Sequence, residues 1–211
     1  MPYNTRLTAK NTITISVPFM AILPANKKLP VEKIILGLDP GTQVFGYGIV
    51  KQEGQKITAI QMGVVKLDKF KSHEIRLAKI FEKVIQLIDQ YLPDEMAIES
   101  PFFGKNVQIA LKLGRAQGVS MAAAISRQIP IVEYAPKKVK QSVTGNGNAS
   151  KEQVAAMVAR LLNINPENFL LDATDALAIA ITHVNQSGLP QEVSGGWDKF
   201  LKANADRIKN P

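Results

Sequence analysis

The stretch Ile34-Ile35-Leu36-Gly37-Leu38-Asp39-Pro40-Gly41-Thr42 decides the fold. Its apolar run has the length of a buried strand, and Asp39 with Pro40-Gly41 closes it in a turn. A second run, Phe45 to Val50, carries small Gly46 and Gly48, and a third extends from Ile57 to Leu67. Three strands joined by short turns predict an antiparallel meander. From Ser72 to Tyr91, Ile75, Ala78, Phe81, Val84, Ile85 and Ile88 recur at helical spacing, and Pro93 ends the element. Met96 to Ile98 then reads as a short buried strand leading into Glu99. A long helix is expected from Asn106 to Arg127, a strand over Ile129 to Val132, and a lysine-rich helix over Pro136 to Val143. Gly145-Asn146-Gly147-Asn148 reads as a flexible loop, and Ser150 with Gln153 forms a capping box for a helix to Leu162. A last helix starts with Asp172 and Asp175 and runs to about Val184. This order predicts an α/β domain, a mixed five-stranded sheet with helices on both faces.

The acids sit where these elements begin or end. Asp39 and Glu99 close strands, and Asp172 with Asp175 precede the apolar run Ala176 to Ile181. Taken singly, each has a local reading: a turn former, a polar strand end, a helix cap with a first-turn charge. Taken together they suit a hard divalent cation such as magnesium, because clustered oxygen ligands hold such ions. Two ions can activate a water and stabilise the leaving oxygen of a phosphodiester.

Charge points the same way. The chain has 211 residues, one domain with extensions, and a formal net charge of +8. Between Pro101 and Lys151 the bases Lys105, Lys112, Arg115, Arg127, Lys137, Lys138, Lys140 and Lys151 face the single acid Glu133. A solvated basic surface is one reading, and a polyanion-binding face the other. Hydrophobic residues make up 45% of the chain with few aromatics, which suits an aliphatic α/β core. The absence of cysteine excludes a disulfide scaffold, a thiol nucleophile and cysteine-ligated zinc. No apolar stretch approaches the roughly 20 residues of a membrane-spanning helix, and a cytoplasmic protein is expected.

Three segments are expected: a leader over 1–32, the α/β domain over 33–185, and a linker with a short amphipathic helix over 186–211. The leader reads as disordered or mis-started, with Met20 an alternative beginning and a transit peptide the other possibility. At the far end Trp197, Phe200, Leu201, Ala205 and Ile208 fall at helical spacing, for docking on the domain or binding a partner. Gly114, Gly118 and Ala122 lie four apart on the long helix. Such a row packs either on the chain's own sheet or on a second helix across a dimer contact. His73 and His183 read as structural.

Five blocks carry a resemblance. Ile35 to Thr42, Ala97 to Asn106, Ala110 to Gly114, Val139 to Val143 and Asp172 to Ala180 resemble, in order over about residues 33 to 184, the bacterial RuvC family of Holliday junction resolvases. The resemblance implies a ribonuclease H-like fold and a homodimer with two equivalent sites. It assigns Asp39, Glu99, Asp172 and Asp175 as a catalytic tetrad holding two Mg2+ per site, with Mn2+ a possible substitute. Lys140 and Lys151 match basic positions that contact the scissile strand and assist the chemistry. Phe102 matches an aromatic that pushes against bases at the crossover, where an exposed ring stacks at about 1–3 kcal/mol per base. With Lys105, Asn106, Lys112, Arg115, Lys137 and Lys138 these form the expected DNA-binding set. One departure is Arg115 followed by Gln117, where family members often place Gln before Arg, which touches a backbone or interface contact.

The expected activity is paired, symmetric, metal-dependent nicking of a four-way DNA junction in recombination and repair, with RuvA and RuvB branch-migration proteins as partners. The alternative is a non-catalytic junction-binding scaffold on the same fold. A sugar-kinase-like phosphotransferase, which needs two lobes, has too little chain here.

Overall fold

The computed structural model describes residues 32–101, 106–165 and 170–187, all within the unit that begins at Val31. The leader, the C-terminal amphipathic stretch, Phe102 and Lys105 lie outside the described residues. The elements are β1 (Glu32–Asp39), β2 (Val44–Glu53), β3 (Lys56–Lys66), α1 (His73–Tyr91), β4 (Glu95–Glu99), α2 (Val107–Ser126), β5 (Ile131–Tyr134), α3 (Pro136–Thr144), α4 (Lys151–Leu162) and α5 (Leu171–Ser187). The sheet order is β3-β2-β1-β4-β5, with β1 to β3 an antiparallel meander and β1, β4 and β5 parallel. Among the described residues no helix is long and apolar enough to cross a membrane.

Alternation along the central strands splits the core in two. Leu36, Leu38, Met96 and Ile98 face α1 and α2, while Ile35 and Ala97 face α3, α4 and α5. The first layer holds Ile80, Val84, Leu87 and Ile88 of α1 with Ala116, Ala123 and Ala124 of α2. The second is dominated by α5, which is buried at every position from Ala176 to Val184. The helix ends follow local chemistry. Ser72 caps α1, Asn106 caps α2 by accepting from the Gln108 and Ile109 amides, and the Ser150–Gln153 capping box starts α4.

Four expectations shift. β5 starts at Ile131, because Ile129 N–H still bonds Ala124 C=O of α2 and Pro130 has no N–H to give to a ladder. On α1 the stripe rotates: Ile75 and Phe81 are exposed, and Ile80 and Leu87 take the inward positions. The last helix runs to Ser187, past the expected start of a linker at Gln186. The Gly145–Asn148 segment is tied down, with Gln141 bonding both Gly145 C=O and Gly147 N–H.

Two glycines set how closely α5 lies on the meander. A Cβ on Gly37 would stand 2.2 Å from the Ala176 carbonyl oxygen, and one on Gly46 2.1 Å from that of Asp172. Below this contact, at the other end of the sheet, Glu95 joins three elements: it pairs with Lys33 at 2.6 Å and bonds His183 Nε2, whose Nδ1 meets Tyr134 Oη at 2.9 Å. His183 is thus a buried structural residue, as its sequence position suggests. Burial opposes ionisation of Glu95, but the bonds from Lys33 and His183 outweigh it and hold the carboxyl below its usual range.

Two outcomes follow. Gly46→Ala forces backbone apart and should lower the free energy of unfolding by about 1–3 kcal/mol in a denaturant titration. Because the folded-state pKa of Glu95 is depressed, its contribution is present above the ordinary carboxylate pKa and is lost as pH falls through the folded value. Glu95→Gln should therefore be less stable than the parent at pH 7, by about 1–3 kcal/mol, with the gap closing as pH falls below the ordinary carboxylate pKa.

Candidate metal centre

The parallel pairing of β1 with β4 aligns Leu38 with Ile98, so Asp39 and Glu99 end neighbouring strands side by side. The close seat of α5 on Gly46 and Gly37 brings its first turns over that edge, and with them Asp172 and Asp175. Asp39, Asp172 and Asp175 each present an oxygen within 4.8 Å of the others. Glu99 stands outside this trio but lines both acid cavities together with Asp39. One cavity of about 260 Å³ is lined by Asp39, Glu99 and Asp172, and a second of about 370 Å³ by Asp39, Glu99 and Asp175. All four acids named from the sequence therefore come to one place. A larger cavity of about 470 Å³, walled by Thr144, Gln153, Met157 and Arg160, has no acid.

The crowding has an electrostatic signature. Burial, followed by the charges of Glu99 and Asp175, pushes the Asp39 carboxyl well above its ordinary range. Glu99 is raised by burial and by Asp175, against the nearby Asp39 carboxyl and the charges of Lys151 and Lys140. Such a group of hard oxygens, short of positive charge, fits a divalent cation. Lys151, the first residue of α4, supplies part of the missing charge: its ammonium lies 2.7 Å from Asp175 and 3.5 Å from Asp172. Burial alone would lower its pKa, but the acids around it raise it and keep it protonated. The side chains of Asp172 and Asp175 face Lys151, and both acids lie inside α5, which starts at Leu171 and carries Asp172 as a first-turn charge.

The other expected contacts divide. Lys140 joins Lys151 in the wall of the acid cavity. Lys112 and Arg115 on α2 and Lys137 and Lys138 on α3 are exposed and line neither acid cavity. Asn106 is exposed, with its side-chain oxygen engaged in capping α2. Gly114 and Gly118 have nothing within 4 Å of an added Cβ, so their row is not packed on the chain's own sheet. It lies among exposed Val107, Leu111 and Ile125.

Sequence reasoning passed over three residues beside the acids. Gln117 is 8% exposed and lines the smaller cavity with Glu99 and Ser100. Its amide donates to Glu133 at 2.6 Å, and Glu133 also accepts from Ser100 Oγ at 3.5 Å. The departure noted at Arg115 and Gln117 thus reaches the cavity wall itself. The available signal was a lone amide on the alanine-rich buried face of α2.

Comparisons with known proteins identify the family. The profile of the family described as crossover junction endodeoxyribonuclease RuvC matches residues 35–183. A protein of that name from Cytophaga hutchinsonii is 58% identical over 186 residues, covering 87% of this chain and 93% of the relative. One from Porphyromonas gingivalis is 54% identical, covering 85% and 99% respectively. The structure of Thermus thermophilus RuvC in complex with a Holliday junction substrate superposes with a TM-score of 0.69 at 33% identity, covering 74% of this chain and 94% of that one. The chain belongs to the RuvC family of crossover junction endodeoxyribonucleases.

Proposed function

We propose that this chain resolves four-way DNA junctions by paired hydrolysis of phosphodiesters in two opposed strands. The observation that carries the reading is the convergence of Asp39, Glu99, Asp172 and Asp175 on two cavities that share Asp39, Glu99 and Lys151. It is supported by membership of a family whose Thermus thermophilus member has been seen on a Holliday junction substrate. The four carboxylates would hold two Mg2+ ions, with Mn2+ able to replace them. Bound there, such ions would supply water activation and charge stabilisation for in-line hydrolysis that leaves 5'-phosphate and 3'-hydroxyl ends. Lys140 and Lys151 offset the charge of the scissile phosphate, and the exposed Lys112, Arg115, Lys137 and Lys138 track the backbone. Phe102, Lys105 and Asn106 are assigned to bases and backbone at the crossover.

The functional unit is a homodimer. The row of half-buried Gly114 with exposed Gly118 and Ala122, flanked by exposed Val107, Leu111 and Ile125, suits close helix-to-helix contact and supports this assignment. A twofold dimer on a near-twofold junction places one site at each of two equivalent strands. The division into a leader over 1–32, a nuclease domain over 33–185 and a C-terminal segment over 186–211 is part of the same reading, as are cytoplasmic action and RuvA and RuvB as partners. A non-catalytic scaffold is disfavoured because no acid of the set is replaced.

The test is incubation of the purified protein with a synthetic mobile junction, linear duplex and Mg2+; symmetric nicks in the junction alone are expected. Asp172→Asn should reduce cleavage by about 100-fold or more while junction affinity stays within about threefold, and cutting at the parental rate would remove Asp172 from the tetrad. In chelator at pH 7, Asp39→Asn relieves the burial and crowding of that carboxyl and should raise Tm by about 2–4 °C. The same variant should lose most of the stabilisation that added Mg2+ gives the parent.

A further inference from the structure

We infer that Gln117 and Glu133 are positioning residues for Glu99, fixing the end of β4 so that its carboxylate meets the other acids; this rests on the proposed metal-dependent site. Glu99 is the last residue of β4, and the chain leaves the sheet immediately after it. Two attachments hold that end from the β5 side. Ser100 N–H bonds Tyr134 C=O at 2.9 Å, and Ser100 Oγ reaches Glu133 at 3.5 Å. From the opposite side α2 brings Gln117, whose Nε2 donates to Glu133 at 2.6 Å and lies 3.5 Å from the Glu99 carbonyl oxygen. The amide therefore spans the two parallel strands where they end, against Glu99 on one and Glu133 on the other.

The placement is costly for a nucleic-acid-binding face. Glu133 is the only acid between Pro101 and Lys151, and its charge opposes phosphate binding there. A buried amide has no such need of a carboxylate for packing alone, since an apolar side chain would fill the same space on α2. A carboxylate acceptor makes the bond short and directional, which fixes α2 to β5 at the level of Glu99. Gln117 bonds the Glu99 carbonyl rather than any of the four metal-site carboxylates, so its effect passes through the Glu99 backbone. An error of about 1 Å in a ligand of such a site is enough to lower catalysis strongly.

The experiment compares the full-length parent with Gln117→Met, Glu133→Leu and the double variant. Three quantities are read: calorimetric Mn2+ binding, the metal dependence of single-turnover junction cleavage, and junction affinity with Tm. Expected are about tenfold weaker Mn2+ binding and a matching rise in the metal needed for half-maximal cleavage, with junction affinity within about twofold. The double variant should be no worse than the worse single, because the pair acts as one unit. Glu133→Gln, which keeps an acceptor for the amide, should recover most of the metal affinity. Since Glu133 is exposed, its variants remain informative if Gln117→Met folds poorly. Unchanged Mn2+ binding in Glu133→Leu, additive losses, or losses that follow Tm would overturn the inference. A parent that binds Mn2+ yet never cuts a junction would instead sink the proposed function, while the Mn2+ comparison still decides the role of the pair.

Discussion

Everything at the acid edge depends on how closely α5 lies on β1 and β2. Gly37 and Gly46 remove the side chains that would otherwise hold the helix off, and Ala176, Ala180 and the Asp172 backbone answer them from the helix. The result is backbone seated almost directly on backbone. Only at that distance do Asp172 and Asp175 reach the end of β1, where Asp39 waits. A helix at the usual side-chain separation would leave the same acids too far apart to share an ion. Packing and chemistry are here one constraint.

The sheet supplies the complementary half. Parallel pairing of β1 with β4 sets two strand ends at one level, so that acids placed last in each strand become neighbours. Gathering them is unfavourable for the fold by itself, as the raised pKa of Asp39 and Glu99 records. Lys151 offsets part of this from the first turn of α4. At the opposite end, the Lys33–Glu95–His183–Tyr134 network ties β1, β4, β5 and α5 together through satisfied bonds. The molecule thus holds its balanced ionic contacts away from the edge where unbalanced charge is kept for a ligand.

Most of the fold was legible because its signals are local. The meander followed from short apolar runs broken by turns, and α4 from Ser150 and Gln153, residues whose bonding partners lie within one helical turn. Misplacements arose where neighbours far along the chain decide. β5 starts late because α2 retains the Ile129 amide, and the α1 stripe rotates because its inward face is chosen by contact with α2 and the sheet. The row of Gly114, Gly118 and Ala122 was open to two readings for the same reason, since spacing shows a smooth face but not what it faces.

By itself the sequence determined the order and type of the elements, the four acids at their ends and the basic middle of the chain, because periodicity, capping and charge are properties of residues in series. Tertiary structure alone decided that three of those acids lie within 4.8 Å while Glu99 stands beside Asp39, that Lys151 sits among them, and that Gln117 spans to Glu133. These are distances between segments remote in the chain. They are set by strand register and by the closeness of helix to sheet, and no local pattern encodes either.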